Sequence, residues 1–307
     1  MHLAIVIPSF FEGKNLKTIT NSIENSLIRE FKDCRIDFYV TDESLGLDRE
    51  LYALKLQNKK NKIIILNCGE RIGNQAAIIF ALEELAKSKS KLDFVIVMDG
   101  DGEDNPRHVP ILIKHLISNN LYLVLAKRGK RFTNLSFLFG KFAFNQIFRF
   151  LTGKKYETGN FSVFRFDWLK KMLDQGRFFE SFAGEISSIE TRKSTLTLDR
   201  EPRLDGKTRT NYFGYLRWAL IQLTPWSEFI RVRFFIYTLF SLLGLLIFLG
   251  AGFYLRVMTD LVTPNWVTIV SFGLALITLS NLSIFLISSL AHSTLVANRK
   301  IFKRIYK

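Results

Sequence analysis

The sequence predicts an α/β fold with a mainly parallel sheet, followed by a membrane-spanning helical hairpin. Between residues 3 and 128, apolar strand-like stretches alternate with stretches of helical periodicity, which is the pattern of βαβ units. Acidic residues directly follow several of these strands, and two long uncharged apolar stretches follow Arg233. These three observations indicate a sheet domain, a candidate site and a membrane segment.

The sheet is predicted from short apolar stretches and from the amphipathic helices between them. In the first helix, Leu16, Ile19, Ile23 and Leu27 fall on one face, as expected for a helix that packs on a sheet. The predicted strands cover 3–10, 35–44, 61–68, 92–99 and 121–128, and the predicted helices cover 12–31, 74–89 and 108–120.

Polar and acidic side chains cluster where the predicted strands end. Glu12 follows the first strand, residues 42–44 end the second, and the fourth runs into four carboxylates within 99–104. Ligands of parallel α/β sheets bind beyond the carboxyl ends of the strands, so these residues predict a site. Closely spaced carboxylates repel one another and cost free energy when they are desolvated without partners. The stretch is therefore either a solvated acidic turn or a divalent-metal site for an anionic substrate.

The composition restricts the class of partner and the compartment. The formal net charge of +15 favours an anionic partner, which is a phosphorylated substrate, an anionic lipid or nucleic acid. Cys34 and Cys68 do not have the spacing of a disulfide framework or a zinc site, which fits a reducing, cytosol-facing compartment. No signal-peptide pattern opens the chain. Neither G-x-G-x-x-G nor G-x-x-x-x-G-K-[ST] occurs, which disfavours dinucleotide-binding and P-loop sites.

Two uncharged stretches, 234–255 and 266–290, are predicted to span a membrane. Each is longer than the ~20 residues that a helix needs to cross the hydrocarbon core. Buried core helices are the alternative, but uncharged stretches of this length are rare in soluble cores. Basic residues flank the pair at 231–233 and 298–307, whereas the connector holds only Arg256. By the positive-inside rule, both ends and the sheet domain lie in the cytoplasm, at the cytoplasmic (inner) membrane.

Two further segments, 132–152 and 211–232, are rich in aromatic and basic residues. A core helix would account for the aromatic residues of the first segment alone. A helix in the membrane interface accounts for both its aromatic and its basic residues. We therefore expect both segments to lie in the interface, between a domain at 1–210 and a hairpin at 233–307.

Six short motifs follow one another along the chain and carry the residues that we expect to form the site. They are VIPSFFE with Pro8 and Glu12, TDES with Asp42, DGDGEDNP with Asp99 and Asp101, AKRGKR with Arg128 and Arg131, ETGNF with Glu157 and Asn160, and REPRLDGKTRTNY with Arg200, Arg203 and Arg209.

In this order, and followed by two spans, the motifs resemble those of family 2 glycosyltransferases of the GT-A fold. The similar branch is that of the polyprenyl-phosphate glycosyltransferases with two C-terminal spans, which includes dolichyl-phosphate-mannose synthases and bactoprenol glucosyl transferases. The chain departs from the family pattern at several of these positions. Phe11 stands for Asn, Thr41 for the first acid of the second motif, Glu157 and Asn160 for the two acids of D-x-G-D-F, and Arg209 for Lys.

The resemblance implies an inverting, metal-dependent enzyme that moves a sugar from a nucleotide-sugar, preferably a UDP-sugar, to polyprenyl phosphate at the cytoplasmic leaflet, in cell-envelope glycan synthesis. Mg²⁺ or Mn²⁺ suits a site of one or two carboxylates and phosphate oxygens, and arginine forks suit a phosphate acceptor. The implied roles are metal binding by Asp99 and Asp101; donor binding by Pro8, Glu12, Asp42 and Asp99; catalysis by Asp101, Glu157 and Asn160; and acceptor-phosphate binding by Arg128, Arg131, Arg200, Arg203 and Arg209.

Two alternatives stay open from the sequence. The departures would also fit a catalytically degenerate homologue that binds lipid phosphate or acts as a scaffold. A transferase that acts on another membrane glycolipid is the second alternative. The resemblance makes the nucleotide-sugar, the lipid acceptor and membrane lipids the expected partners, allows for a homo-oligomer, and does not indicate nucleic acid.

Overall fold

A computed structural model of the chain describes residues 1–57, 61–88, 90–129, 135–156, 159–178, 181–204, 212–258 and 265–305. The chain divides into two compact units. The sheet unit comprises Met1–Lys141 and Tyr156–Pro225, and the hairpin unit comprises Phe142–Lys155 and Trp226–Lys307.

The sheet unit contains seven described strands with helices between them. The strands are β1 (His2–Ser9), β2 (Arg35–Asp42), β3 (Lys62–Asn67), β4 (Phe94–Val97), β5 (Leu123–Arg128), β6 (Ser162–Arg165) and β7 (Lys193–Leu198). The helices of this unit are α1 (Gly13–Glu30), α2 (Arg49–Gln57), α3 (Asn74–Lys87), α4 (Val109–Ser118), α6 (Phe166–Asp174), α7 (Phe182–Ser188) and α8 (Tyr212–Ile221). Helix α5 (Leu135–Thr152) crosses from the sheet unit into the hairpin unit.

The strands form one sheet in the order β3-β2-β1-β4-β6-β5-β7. All described pairings are parallel except those of β6, which runs antiparallel to both β4 and β5. The predicted mainly parallel α/β sheet is therefore confirmed. Because β6 is reversed and pairs Ser162 with Val97, the residues that precede β6 lie beside those that follow β4.

The core of the sheet unit lies on both faces of the sheet. Leu3, Ile5 and Ile7 of β1 face α1, α2 and α4, whereas Ala4 and Val6 face α3, α6 and α7. All five side chains are fully buried, which explains why β1 is a continuous apolar run instead of an alternating one. Burial of each large aliphatic side chain stabilises the fold by about 1.5–3 kcal/mol, so the sheet is a rigid base for the loops at its edge.

The hairpin unit contains the end of α5 and two long helices, α9 (Ser227–Met258) and α10 (Asn265–Ile305). These two helices run antiparallel, since Phe235 contacts Phe285 at 5.3 Å between ring centroids while Gly252 lies close to Val267. Two stretches of the described chain, Leu216–Met258 and Val267–Leu290, are long and apolar enough to cross a membrane. The predicted spans 234–255 and 266–290 fall inside α9 and α10.

The predicted interface segment 211–232 is not a single helix. Its described part divides into α8, a 3₁₀ turn at Thr224–Trp226 and the first residues of α9. Pro225 has no backbone N–H, and it disfavours helical backbone at the residue before it, so α8 ends short of it.

Candidate functional site

The loop after β4 carries the predicted metal-binding carboxylates. It turns back immediately: the Asp104 carboxylate accepts a hydrogen bond from the Asp99 backbone N–H at 2.9 Å, and the Asp101 Oδ1 atom accepts one from the Glu103 N–H at 3.0 Å. Gly102 lies between them with φ +85°, in the region that glycine adopts most readily. The Asp99 and Asp101 side chains thereby leave the same short turn at the carboxyl edge of the sheet.

Asn160 and Asn74 both donate hydrogen bonds to Asp99. The Nδ2 atom of Asn160 lies 2.8 Å from the Asp99 Oδ1 atom, as the antiparallel register of β6 allows. The Nδ2 atom of Asn74, at the start of α3, lies 3.3 Å from the same oxygen. The structure thus brings Asn160 and Asp99 together, as expected from the sequence, whereas Asn74 was not singled out there.

Gln75 connects this pair to the start of α7. Its Nε2 atom donates to the Asn160 Oδ1 atom at 2.7 Å, and its Oε1 atom accepts from the Ala183 backbone N–H at 2.9 Å. The only sequence signal for Asn74 and Gln75 is their position directly after the glycine that precedes a predicted helix. Such a position starts a helix at the carboxyl edge of a parallel sheet, where ligands bind.

The two described arginines of the last motif lie on the acidic loop. The Nη2 atom of Arg203 lies 2.9 Å from the Asp101 Oδ2 atom, and its Nε atom lies 3.3 Å from Glu103 Oε1. Arg200 pairs with the Glu103 carboxylate, which is 3% exposed. We expected Arg200 and Arg203 to bind an acceptor phosphate. In this structure they neutralise the carboxylates that the loop holds together.

Backbone contacts dock the whole arginine segment, residues 199–204, on the loop. The Glu201 N–H donates to the Glu103 carbonyl and the Leu204 N–H donates to the Asp101 carbonyl, both at 3.1 Å. Leu204 also covers Gly102, since a Cβ atom at residue 102 would lie only 2.6 Å from the Leu204 Cγ atom. A side chain at residue 102 would therefore push this segment away from the loop.

The electrostatic environment of Asp101 favours the uptake of positive charge. Burial raises the pKa of Asp101, the Asp99 and Glu103 carboxylates raise it further, and the Glu103 N–H and Arg203 act in the opposite direction. Like charges crowded on one turn repel one another, so a bound cation would relieve an existing repulsion.

Asp42 and Glu12, the predicted donor-binding acids, are already hydrogen-bonded within the chain. Asp42 accepts hydrogen bonds from the Ser44 N–H and hydroxyl, the Gly46 N–H and the Tyr52 hydroxyl, at 2.6–3.0 Å. An ionised carboxylate has about four acceptor positions, so these contacts occupy Asp42 in ordering the loop after β2. The Glu12 carboxylate accepts from the Asn15 side chain at 2.6 Å. Pro8 is a buried residue of β1, next to Thr41 in the parallel register.

Glu43 is an acidic residue of the predicted cluster 42–44 to which the sequence assigned no role of its own. Its carboxylate, only 5% exposed, accepts a hydrogen bond from the Gly73 N–H at 2.6 Å, directly before α3. Burial raises the pKa of Glu43, against the effects of the Gly73 hydrogen bond and Arg71. Burial, with Glu43 and Asp42 nearby, also raises the pKa of the Cys68 thiol to about 11. The ends of β2 and β3 therefore bring two carboxylates, Asp42 and Glu43, close to the Cys68 thiol.

For four predicted site residues, the structure does not describe the side chain. Arg131, Glu157 and Arg209 lie outside the described residues. Arg128 ends β5, but its side chain lies outside the described part of the chain as well.

The donor set fits Mg²⁺ or Mn²⁺ bound jointly with a phosphorylated ligand. In the described part of the chain, no group of three His, Cys, Asp or Glu side chains converges on a common point. Mg²⁺ usually binds through one or two carboxylates together with substrate phosphates and waters, which is the number that Asp99 and Asp101 supply. The crowding of negative charge at Asp101 supports the same assignment.

Comparison with known proteins places the chain in a family. The model of the family described as glycosyl transferase family 2 matches residues 4–173. Among solved structures, glucosyl-3-phosphoglycerate synthase from Mycobacterium tuberculosis, in complex with Mn²⁺, UDP and glucosyl-3-phosphoglycerate, is 15% identical with a TM-score of 0.48, over 73% of this chain and 80% of that one. A mannosyltransferase from Pyrobaculum calidifontis, in complex with GDP-Man and Mn²⁺, is 15% identical with a TM-score of 0.44, over 96% of this chain and 75% of that one.

A third similar structure is that of residues 1–349 of TarS from S. aureus, which is 15% identical with a TM-score of 0.45 over 65% of this chain. The chain spans 59% of that structure, less than two thirds of its length. The family assignment depends on none of these three structures, because the family model alone matches more than half of the chain. The protein, with its mostly parallel GT-A-type sheet, therefore belongs to glycosyl transferase family 2.

Proposed function

We propose that the protein transfers a sugar from a nucleotide-sugar, preferably a UDP-sugar, to polyprenyl phosphate at the cytoplasmic leaflet of the inner membrane. The proposal is carried by the paired carboxylates Asp99 and Asp101 at the carboxyl end of β4. They occur in a family 2 chain that continues into two long apolar helices. A site for an anionic donor and a membrane segment in one chain suit a lipid acceptor.

The donor would bind at the carboxyl edge of the sheet. Asp99 and Asp101 are the residues that would hold Mg²⁺ or Mn²⁺, and the cation would supply neutralisation of the diphosphate leaving group. Glu12 would accept hydrogen bonds from the nucleoside, while Asp42 would act by ordering the loop that it already holds and Pro8 by fixing the end of β1. These roles follow the family resemblance and the positions of the side chains.

The reaction would be a single in-line displacement. An oxygen of the acceptor phosphate attacks the anomeric carbon, the bond from that carbon to the donor diphosphate breaks, and the nucleoside diphosphate leaves with the bonding electrons. The configuration inverts, and no covalent enzyme intermediate forms. The acceptor phosphate is largely ionised near neutral pH, because its second pKa is about 6. Asn160, a neutral amide, would therefore take no proton, and Glu157 would orient the acceptor or accept a remaining proton.

Arginines would bind the acceptor phosphate. Arg200 and Arg203 present planar forks suited to phosphate oxygens, and Arg128, Arg131 and Arg209 would complete the group. Since Arg203 is paired with Asp101 at 2.9 Å, a cation at Asp101 would compete with it and make Arg203 available to the acceptor.

The membrane part of the proposal rests on the hairpin unit. Large apolar side chains are exposed along both of its long helices, for example Phe240, Ile247 and Phe272. Phe142, Ile147 and Phe150 of α5 are exposed as well, at 56–59%, which suits a helix in the membrane interface. Membrane lipids would cover these side chains, and a second copy of the chain would cover part of them in a homo-oligomer.

The direct test is transfer of radiolabelled sugar from a panel of UDP- and GDP-sugars to undecaprenyl phosphate. The full-length protein would be assayed in detergent with Mn²⁺ or Mg²⁺. We expect a labelled lipid that EDTA abolishes and that Asp101→Ala lowers by about a hundredfold or more, because a cation supplies several kcal/mol of charge stabilisation. Asp174→Asn, which removes an exposed carboxylate of α6, should leave transfer unchanged.

Failure of the assay would have two distinguishable meanings. Folded protein that binds a nucleotide with Mn²⁺ but transfers no sugar to undecaprenyl phosphate would exclude this acceptor and favour another membrane glycolipid. Folded protein that binds no nucleotide would exclude the enzyme and leave the degenerate, scaffold-type homologue.

A further inference from the structure

We propose that Asn160, Asn74 and Gln75 are positioning residues that fix the Asp99 carboxylate for metal binding through a directed chain of hydrogen bonds. The chain runs from the Ala183 backbone N–H through Gln75 and Asn160 to Asp99. The inference rests on the proposed function, because it takes Asp99 as a ligand of the divalent cation.

The direction of the hydrogen bonds follows from the chemistry of the Asp99 carboxylate at which they end. An ionised carboxylate only accepts hydrogen bonds, so Asn160 must turn its Nδ2 atom toward the Asp99 Oδ1 atom. That Nδ2 atom also donates to the Asn74 Oδ1 atom at 2.8 Å, which uses both of its N–H bonds. The Asn160 Oδ1 atom then faces Gln75 Nε2 at 2.7 Å, and this contact fixes the orientation of Gln75 too.

Each amide in the chain consequently points its N–H toward Asp99 and its carbonyl oxygen away from it. At the far end, the Gln75 Oε1 atom accepts from the Ala183 N–H at 2.9 Å. Successive hydrogen bonds that share one direction polarise one another, and the Asn74 Nδ2 atom adds a weaker contact to Asp99 at 3.3 Å. The Asp99 Oδ1 atom therefore accepts hydrogen bonds from two amides, Asn160 and Asn74, which are also hydrogen-bonded to each other.

The hydrogen-bonded amides lie mostly inside the fold and not on its surface. Asn160 and Gln75 are 7% and 6% exposed, and Asn74 at the rim is exposed. The reversed strand β6 delivers Asn160 beside Asp99, and the start of α3 delivers both other amides. A carboxylate with buried, mutually fixed partners keeps one orientation, which is what a metal ligand requires.

The series of hydrogen bonds explains why an amide suits position 160. An aspartate there would direct a carboxylate oxygen at the Asp99 Oδ1 and Asn74 Oδ1 atoms, at the 2.8 Å distances that Asn160 Nδ2 now spans. Three acceptors would then face one another without a proton. We infer that Asn160 serves Asp99, and that the aspartate of the family pattern would not fit this neighbourhood.

The test measures Mn²⁺ binding by electron paramagnetic resonance, from the loss of the free-ion signal. The full-length protein in detergent would be titrated with Mn²⁺ in the presence of UDP and, separately, of GDP. Loss of the partners that orient a metal ligand usually weakens metal binding by about 10–100-fold. We expect that range for Asn160→Ala and a smaller loss for Asn74→Ala, which has the longer hydrogen bond to Asp99.

Two controls make the comparison specific. Asn119→Ala removes an amide at the end of α4 that bonds to His115 and should leave Mn²⁺ binding unchanged. Asp101→Asn should abolish binding. Because Asn74 is exposed, Asn74→Ala should fold even if a variant at the buried position 160 does not, so a loss of Mn²⁺ affinity beyond that of Asn119→Ala remains measurable.

The outcomes separate the inference from the proposed function. Wild-type protein that binds no Mn²⁺ with either nucleotide would overturn both. Wild-type binding that Asp101→Asn abolishes, but that the Asn160 and Asn74 variants retain within twofold, would overturn only the positioning role. Asn160→Asp should not raise turnover. A higher turnover at unchanged Mn²⁺ affinity would identify position 160 as a proton acceptor and contradict the inference.

Discussion

At the carboxyl edge of the sheet, individual acidic side chains are buried, and burial disfavours their ionised form. Glu43 shows this most directly, because burial raises its pKa while the Gly73 N–H and Arg71 lower it. The folded protein then binds the Glu43 proton more tightly than the unfolded chain does. Stability accordingly falls as the pH rises from the ordinary carboxyl value of about 4.3 through the raised value in the folded state.

Glu43→Gln should therefore raise the melting temperature at pH 7.5. Glutamine carries no charge, and its Oε1 atom can still accept the Gly73 hydrogen bond. At pH 3, more than one unit below the ordinary carboxyl value of about 4.3, the carboxyl is largely protonated in both states, so the difference from wild type should nearly disappear. Thermal unfolding in detergent at both pH values is the measurement, with the exposed Glu70→Gln as the control. A variant that melts below wild type at pH 7.5 would show that the charge on Glu43 is stabilising.

Cys68 should be a poorly reactive thiol. With its pKa raised to about 11, only about one thiol in a thousand is ionised at pH 8, and the thiolate is the nucleophile. In a Cys34→Ser background, the rate of alkylation should rise about tenfold per pH unit between pH 8 and 10. The rate for glutathione in the same buffers gives the reference, and a Cys68 rate equal to it at pH 8 would contradict the prediction.

The roles of single residues were only partly predictable from the sequence. Asp99 and Asp101 were singled out because they directly follow a predicted strand, and Asn160 because its motif resembles that of the family; their roles in metal binding and catalysis stay predictions. The pairing of Arg203 with Asp101 was not predictable, since it joins residues about a hundred positions apart. Asn74 and Gln75 were missed for a similar reason: their role depends on the reversed strand β6, whose four residues are too few to show a strand pattern.

Among the structural elements, the arginine segment 199–204 packs on the acidic loop and covers Gly102. Gly102→Ala tests this contact, because residue 102 has φ +85° and a Cβ atom there would lie 2.6 Å from Leu204. Left-handed backbone alone costs about 1–2 kcal/mol for a residue with a Cβ atom. The collision adds to that cost, so we expect a lower melting temperature and weaker Mn²⁺ binding.

Gly69→Ala separates the two causes of that effect. Residue 69 has a similar φ of +71°, but a Cβ atom there meets nothing within 4 Å. It should therefore show the backbone cost alone. Combining Gly102→Ala with Leu204→Ala should recover part of the difference. Equal melting temperatures for the two single variants would show that Leu204 gives way freely.

Element types were predictable where a stretch was long and periodic. The first five strands and helices α1, α3 and α4 occur at the predicted places, since apolar periodicity reports directly on burial. The short elements β6 and α7 were not predicted, because a few residues do not establish a period. The segment 211–232 was predicted as one helix, but the proline at 225 divides it.

At the scale of the whole molecule, we expect the sheet unit and both ends of the hairpin to lie on one side of the membrane, and the connector between the two spans to lie on the other side. Arg256 lies exposed near the end of α9, between the two predicted spans. In a chain that lacks Cys34 and Cys68, Arg256→Cys should react with a membrane-impermeant maleimide added to intact cells. Asn119→Cys, on the sheet unit, should react only after the cells are opened. Labelling of both before lysis would contradict the proposed topology.

The hydrogen bonds that run from Ala183 through Gln75 and Asn160 to Asp99 also have a consequence for folding. The residues that they join come from the start of α3, the end of β4, the start of β6 and the start of α7, so none of these contacts forms within a single local hairpin. Contacts between distant parts of a sequence require loop closure and tend to form slowly. Asp99 would therefore acquire its final orientation only once the centre of the sheet has assembled. Recovery of Mn²⁺ affinity during refolding would then report the completion of the sheet, later than a signal that follows helix content.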